Sequence, residues 1–153
     1  MKYLYKINQT KLDFIYKNKD IYKFINIIMK KGKKQTAENI LINTFFELKK
    51  KKKNPIEIFK KAFDNITPLI EIRSKQIGGS KQNIPTEIKQ SRQKMLACKF
   101  LLKEINTTIK KKFEIRLSNE LILAAKNEGN TVKKIQNLHK MAEANRVFLN
   151  AFK

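Results

Sequence analysis

His139 is the only histidine of the chain and Cys98 is its only cysteine. One residue of each type cannot supply the ligands of a structural zinc site. Cys98 shares a predicted helical stripe with Leu101 and Ile105, where a cysteine without a disulfide partner is usually buried. The acidic residues are scattered, and none forms an obvious acid–base pair. The sequence therefore predicts a protein that is not an enzyme and that binds no metal, cofactor or small-molecule ligand.

Gly32-Lys33-Lys34 has the glycine–lysine step of a nucleotide-binding P-loop. Such a loop also needs a glycine where Ile27 stands and a serine or threonine where Lys34 stands. The segment is therefore not a P-loop, and its lysines need another explanation.

Basic residues gather beside predicted turns and at predicted helix starts. Each cluster taken alone is equally consistent with a solvated, solubilising patch. Lysine at a helix N-terminus opposes the helix dipole, so binding is one reason to tolerate it there. Side-chain charge and backbone N–H groups together hold phosphate groups at such places. The clusters are Lys30, Lys31, Lys33 and Lys34 around Gly32, the run from Lys49 to Lys53, Arg92 with Lys94, Lys110 to Lys112, and Lys133 with Lys134.

The charge of the whole chain points to the same class of partner. Its 153 residues include 35 lysines and arginines against 13 acids, which gives a net charge of +22. Self-repulsion of this size opposes compaction, and a polyanion relieves it. Nucleic acid is the first expected partner and an anionic membrane surface is the second. No apolar run is long enough to span a membrane, and the single cysteine favours a reducing compartment.

Hydrophobic periodicity predicts one helical domain over residues 20–150, preceded by a basic N-terminal arm at residues 1–19. Asn54-Pro55-Ile56-Glu57 is typical of a capping box with proline at the first helical position. The first three predicted helices run from Asp20 to Gly32, from about Gln35 to Lys49, and from Pro55 to Thr67. The fourth has its N-cap at Ser91 and continues past Ile105. The fifth contains Leu117 and ends at Gly129, and the sixth begins near Thr131.

Residues 69–89 alternate apolar and polar side chains on both sides of Gly78-Gly79, and this glycine pair fits the tight turn of a hairpin. Too few apolar residues lie along this arm for it to be a core sheet. The predicted fold is therefore mainly α, a single domain of five to six helices with one protruding β-hairpin arm. An arm of this kind reaches into a nucleic-acid groove or an RNA–protein junction.

Taken in order, these segments resemble one family, the seventh protein of the small ribosomal subunit in its bacterial and organellar form. The likeness covers roughly Lys23 to Phe148, and its C-terminal part is long and specific. The matching motifs are Phe24-Ile25-Asn26-Ile27-Ile28-Met29, Gly32-Lys33-Lys34 with Thr36-Ala37-Glu38, the arm with Gly78-Gly79-Ser80 and Ile84-Pro85, Asn119-Glu120-Leu121, and Val132-Lys133-Lys134 with Leu138-His139-Lys140-Met141-Ala142-Glu143-Ala144-Asn145.

The resemblance implies a structural protein that binds the 3′ major (head) domain of small-subunit rRNA and helps to start assembly of the head. Neighbouring ribosomal proteins would be further partners, and the arm would lie near the exit-site tRNA and the mRNA exit channel. The resemblance implies that His139 binds rRNA. A surface or capping role that orders the last helix fits the sequence equally well. The implied rRNA-binding residues are Lys30, Lys31, Lys33, Lys34, Arg92, Lys94, Arg116, Lys133, Lys134, His139 and Lys140. On the arm, the implied contacts are Arg73, Lys75, Gln76, Gly78, Gly79, Ser80 and Lys81.

The chain departs from the bacterial pattern at its opening, which lacks the usual arginine-rich segment and the Pro-Asp-Pro that follows. The run from Lys49 to Lys53 also replaces a less charged loop. With the bias towards Lys, Asn and Ile, the missing opening favours a mitochondrially encoded member that works in the matrix. A plastid-type organelle or the cytoplasm of an AT-rich bacterium is the alternative.

Two other interpretations remain open on the residues alone. A non-ribosomal architectural nucleic-acid-binding protein with a β-arm would usually insert an apolar wedge at the arm tip, whereas this tip is Gly-Gly-Ser. A membrane-surface protein would need one long helix with a wide apolar face, whereas these helices have narrow apolar stripes.

Overall fold

The computed structural model describes residues 19–77, 79–107 and 111–146. Over these residues the chain forms six helices and one two-stranded antiparallel sheet, which confirms the predicted fold class. The predicted N-terminal arm lies outside the described residues, except for Lys19, which begins the first helix. The elements are α1 (Lys19–Ile28), α2 (Lys34–Lys50), α3 (Pro55–Ile66), β1 (Ile70–Ile77), β2 (Ser80–Glu87), α4 (Gln90–Thr107), α5 (Phe113–Ala125) and α6 (Asn130–Ala144).

The predicted cap of α3 is present. Asn54 Oδ1 accepts a hydrogen bond from the Ile56 N–H at 3.2 Å, and Asn54 Nδ2 donates to Glu57 Oε1 at 3.0 Å. In a capping box the glutamate accepts from the backbone N–H of the cap residue, whereas here it accepts from the side-chain amide. The cap fixes the start of α3 at Pro55.

Three predicted helix boundaries are wrong. α1 ends at Ile28 and not at Gly32, because Lys31 and Gly32 form the left-handed turn that follows it. α4 begins at Gln90, and the backbone carbonyl of Lys89 accepts from the Arg92 N–H at 2.9 Å, so Ser91 lies inside the first turn. Gly129 does not end α5 but is the N-cap residue of α6. Asn127 ends α5 instead, because its left-handed backbone (φ +62°) closes the last turn, a conformation that asparagine tolerates well.

The end of α2 has the same closing geometry with a less usual residue. Lys52 takes a left-handed backbone (φ +54°), its N–H donates to the Lys49 carbonyl at 2.8 Å, and the Lys53 N–H donates to the Leu48 carbonyl at 3.2 Å. These two bonds define a Schellman motif, in which glycine is the preferred residue at the left-handed position. A lysine therefore occupies a position that favours glycine.

An aromatic cluster joins the first three helices. The ring of Phe59 packs against Phe24, Phe45 and Phe63, with centroid distances of 5.7, 6.1 and 4.3 Å. Such pairs stabilise a core by about 0.5–1.5 kcal/mol each beyond the apolar area that they bury. The cluster therefore fixes α1, α2 and α3 relative to one another.

The remaining helices pack around this cluster in a way that positions the hairpin. α5 packs against α2 and α3, and α1 packs against α2 and α4. α6 contacts α3, α4, α5 and both strands of the hairpin. α6 therefore connects the body to both strands of the hairpin, and α4 follows β2 directly in the chain. None of the helices described is long and apolar enough to cross a membrane.

Candidate nucleic-acid interface

Residues 30–34, which we call the basic turn, connect α1 to α2. Lys31 and Gly32 have left-handed backbones (φ +52° and +71°), so the chain reverses sharply here. The Lys34 Nζ lies 5.0 Å from the centroid of the Tyr22 ring, which is a cation–π contact, and Lys34 is half-buried. The other three lysines of the turn, Lys30, Lys31 and Lys33, are exposed.

An apolar groove of about 270 Å³ opens beside the basic turn. The residues that line it in the described structure include no acid, so its rim is electropositive. Sequence reasoning did not find this groove, because α4 and α5 supply part of its walls and are distant in sequence from α1 and α2. It is lined mainly by Ile27, Met29, Ile40, Leu102 and Phe113, with Lys30 and Lys33 beside them.

The C-terminal end of α4 borders the same groove and holds two of the predicted residues in internal contacts. Lys134 of α6 forms an ion pair with the buried carboxylate of Glu104. Arg116 donates a hydrogen bond to the carbonyl of Ile105. Its guanidinium carbon also lies 5.7 Å from the centroid of the Phe113 ring. Both cations therefore fasten a neighbouring helix to α4.

The N-terminal end of α4 holds the hairpin through an ion pair. Arg92 Nε and Nη2 each donate to a carboxylate oxygen of Glu71 at 2.6 Å, so the contact between β1 and α4 is bidentate. These hydrogen bonds hold the pKa of Glu71 below its usual value, and the Glu71 carboxylate raises the pKa of Arg92. Arg73 Nη2 lies 3.8 Å from the same carboxylate.

Two further predicted residues, Lys94 and His139, each join two elements. Lys94 Nζ donates to Asp20 Oδ2 at 2.7 Å and thereby joins α4 to the start of α1. His139 Nε2 accepts a hydrogen bond from the Leu69 N–H at 3.4 Å, just before β1 begins. His139 therefore joins α6 to the residue that enters the hairpin.

The turn of the hairpin lies at the predicted position. Ile77 pairs with Ser80, so Gly78-Gly79 forms a two-residue connection, and Gly79 has a left-handed backbone (φ +86°). Gly78 itself lies outside the described residues. Ile84 and Pro85 are buried near the base of the arm. The predicted contact residues Arg73, Lys75, Gln76, Gly79, Ser80 and Lys81 are all exposed.

The predicted cations thus follow the lengths of α4 and α6 and not one face of the body, because Arg92 and Glu104 stand about 120° apart around α4. We call this set the line of cations. Glu104, the partner of Lys134, is twelve residues from Arg92 on α4, a distance of about 18 Å along the helix. α6 contacts the C-terminal end of α4 through Lys134 and the hairpin base through His139, five residues later. Lys133 and Lys140 are exposed on α6. The line joins the groove and basic turn to the hairpin.

The carboxylates of this line were missed by sequence reasoning. Asp20, Glu71 and Glu104 pair with Lys94, Arg92 and Lys134, each of which is distant in sequence from its carboxylate. Among the residues that the structure describes, no three His, Cys, Asp or Glu side chains converge on a common point. Cys98 is buried, as predicted, and burial raises the pKa of its thiol to about 12. The chemistry available here is phosphate binding by exposed ammonium and guanidinium groups.

Comparison with known proteins identifies the family. The family model "Ribosomal protein S7p/S5e" matches residues 2–146, which extends beyond the Lys23 where the resemblance begins. The small ribosomal subunit protein uS7 of Anaeromyxobacter sp. (strain Fw109-5) is 40% identical over 134 residues, covering 87% of this chain and 86% of that protein. The protein of the same name from Mycoplasmopsis synoviae (strain 53) is 40% identical over 144 residues, covering 94% and 92%. The chain therefore belongs to the ribosomal protein S7p/S5e family.

Proposed function

We propose that the chain binds the 3′ major domain of small-subunit rRNA and helps to start assembly of the head. Family membership makes it a structural protein of the small ribosomal subunit, and the family is not enzymatic. The proposal concerns the RNA that it binds and the residues that make the contacts. The observation that carries it is the line of cations from the basic turn along α4 and α6 to the hairpin.

The lysines of the basic turn and the exposed lysines of α6 are proposed to contact phosphates. Their ammonium groups displace condensed counterions from RNA, and this release drives binding. Lys33 is also the N-cap residue of α2 and offers no side-chain acceptor to the first turn, so the N–H groups there favour an anion. The proposed phosphate contacts are Lys30, Lys31, Lys33, Lys34, Lys133 and Lys140.

The paired cations are proposed to position the interface. Arg92, Lys94 and Lys134 each meet a carboxylate, which offsets their charge and leaves less of it for RNA. Arg116 and His139 are bonded to backbone groups at opposite ends of this line, Arg116 to Ile105 and His139 to Leu69. We assign to these five residues RNA contacts that are secondary to their structural contacts.

The groove beside the basic turn is proposed to hold one unpaired base of the rRNA. RNA-binding proteins commonly stack a splayed-out base on an aromatic ring and hold its phosphate nearby. Phe113 supplies a ring in the wall of the groove, and Lys30 and Lys33 supply charge beside it.

The hairpin arm is proposed to reach the exit-site tRNA and the mRNA exit channel, and to contact neighbouring ribosomal proteins. Its outer half is exposed and carries Arg73, Lys75 and Lys81. A glycine turn lets such a tip approach a nucleic-acid backbone closely.

A paired substitution tests the RNA site. Changing Lys33 and Lys34 together to Ala should weaken binding to a head-domain rRNA fragment and flatten the slope of log K against log salt by up to about two. The matched control changes the exposed Lys60 and Lys61 of α3 to Ala, which removes the same charge elsewhere. A slope for the first variant that equals the slope of the control would contradict the proposal.

A second test uses the assembled particle. The full chain should sediment with the small ribosomal subunit through a high-salt gradient, because a structural component is held by many contacts at once. Sedimentation only with free protein would exclude a stable ribosomal role.

For the compartment, we propose a mitochondrial ribosome, because the sequence is biased towards Lys, Asn and Ile. A bacterial cytoplasm is the second candidate, because relatives of similar length such as that of Mycoplasmopsis synoviae are bacterial. Sequencing the DNA that flanks the gene distinguishes a mitochondrial from a bacterial chromosome.

A further inference from the structure

The run Lys49–Lys53, which we call the lysine run, lies away from the line of cations assigned above. It begins in the last turn of α2, whereas the basic turn precedes the first turn of the same helix. α2 has 17 residues, so the two clusters are about 24 Å apart along its axis. One short stretch of RNA phosphates at the basic turn would not reach both.

An exposed aromatic ring accompanies the lysine run. Phe46 is 59% exposed and stands one turn before the run. Lys50 Nζ lies 5.0 Å from the centroid of this ring and also forms an ion pair with Glu47 at 2.7 Å. Lys51 Nζ donates to Asn119 Oδ1 at 2.5 Å. The patch therefore presents an aromatic ring among several ammonium groups.

The composition of this patch favours an anion with a flat apolar part. Between Phe46 and Lys53 the chain has five lysines and one acid. Proteins that bind single-stranded nucleic acid combine a positive surface for phosphates with aromatic rings on which bases stack. Paired RNA keeps its bases stacked inside the helix, whereas the bases of an unpaired strand are free to stack on an exposed ring.

Stability does not account for lysine at position 52. Lys52 has the left-handed backbone that glycine adopts at least cost, and the bonds of the Schellman motif use only backbone groups. A lysine at this position lowers the stability of the fold relative to glycine. The lysine side chain is therefore better explained by binding than by folding.

We propose that Phe46, Lys49, Lys52 and Lys53 form a second RNA-binding surface, which takes an unpaired strand by stacking a base on Phe46 and holding phosphates with the lysines. The inference rests on the proposed function, since the expected strand belongs to the rRNA that the chain binds through its first surface. Lys50 and Lys51 hold the patch in place through Glu47 and Asn119.

Binding to a labelled oligouridine of about twelve nucleotides, within the site size of single-strand-binding proteins, tests the ring. In the full chain, Phe46→Ala should weaken binding at least about fivefold, the lower end of one base–aromatic stack. Phe46→Tyr keeps the ring and should bind like the natural chain. Photocrosslinking with 4-thiouridine in the same oligonucleotide should label the peptide that contains Phe46.

The lysines are tested through the salt dependence. Changing Lys49, Lys52 and Lys53 together to Gln should flatten the slope of log K against log salt by up to about two, at about 0.7 per contact with a single strand. The matched control replaces three exposed lysines elsewhere, Lys60, Lys61 and Lys99, with Gln. Lys52→Gly alone should raise the melting temperature, because glycine relieves the backbone, and should still weaken binding.

Three results would overturn the inference: equal affinity for Phe46→Ala and the natural chain, a crosslink that avoids this peptide, or a control triple that flattens the slope as much as the lysine triple. Failure of the proposed function looks different. In that case the natural chain would not bind the head-domain rRNA fragment, whatever residue stands at position 46.

Discussion

The bidentate contact between Glu71 and Arg92 links the hairpin to the helical body. Both side chains are partly exposed, so solvent screens their attraction and the stability of the whole fold depends on it little. Their effect is instead local, because they fix the direction in which β1 leaves the body. Arg92→Ala and Glu71→Gln should therefore speed amide hydrogen exchange at the base of the hairpin and leave the melting temperature of the body nearly unchanged. A change in melting without a change in exchange would contradict this role.

The same contact should respond to acid. The pKa of Glu71 lies below its ordinary value of 4.5, chiefly because Arg92 donates hydrogen bonds to its carboxylate. A lowered pKa in the folded state means that the contact stabilises the fold above about pH 4.5 and that this contribution is lost as the pH falls through the lowered pKa. Exchange at the hairpin base should therefore rise in that acid range in the natural chain, after correction for intrinsic rates. Glu71→Gln should show no such step.

The sequence marked Arg92 as a cation at a helix start, but it did not reveal the partner. Glu71 is 21 residues away on a strand, and the two meet only because the hairpin docks on α4. Local spacing carries no information about such docking. His139 was likewise recognisable as unusual from its position, whereas its contact with Leu69, 70 residues earlier, was not.

The hairpin arm divides into a docked base and an exposed outer part. Ile84 and Pro85 are buried near the base, while residues 73–76 and 79–81 are exposed. Deleting residues 73–83 should therefore leave the melting temperature and much of the rRNA affinity intact, and it should impair the handling of tRNA or mRNA in the assembled subunit. Thermal melting, fragment binding and an exit-site assay measure the three effects. Unfolding of the isolated variant would show instead that the arm belongs to the core.

Helix and hairpin positions were predictable because they depend on local patterns. Periodic apolar residues marked the six helices, and Gly78-Gly79 marked the turn between two alternating segments. The wrong boundaries lie where backbone groups or distant side chains decide the end. Glu120 Oε1 accepts from both the N–H and the hydroxyl of Thr131, so α6 starts where α5 provides this acceptor. The short stretch of sequence around the start of α6 contains no such acceptor, because Glu120 lies eleven residues before Thr131.

The net charge of +22 should make folding and RNA binding respond to salt in opposite directions. Added salt screens the repulsion among lysines, so the melting temperature of the isolated chain should rise between low and moderate ionic strength. Over the same range, affinity for rRNA should fall steeply, because counterion release contributes less. Both curves are measurable on one preparation, and a melting temperature that falls with salt would show that internal ion pairs outweigh the repulsion.

The burial of Cys98 makes the natural chain behave like a cysteine-free background for chemical labelling. The thiolate is the reactive form, and a thiol with a pKa of about 12 inside the core supplies almost none of it at neutral pH. A maleimide dye should therefore react quickly with Ser80→Cys at the tip of the arm and leave Cys98 unmodified until the chain unfolds. Mass spectrometry of the dye-treated natural chain, once native and once in denaturant, tests whether Cys98 is modified only on unfolding. A single dye on the arm would then report its distance from a labelled tRNA in a working subunit, with no change to the core of the protein.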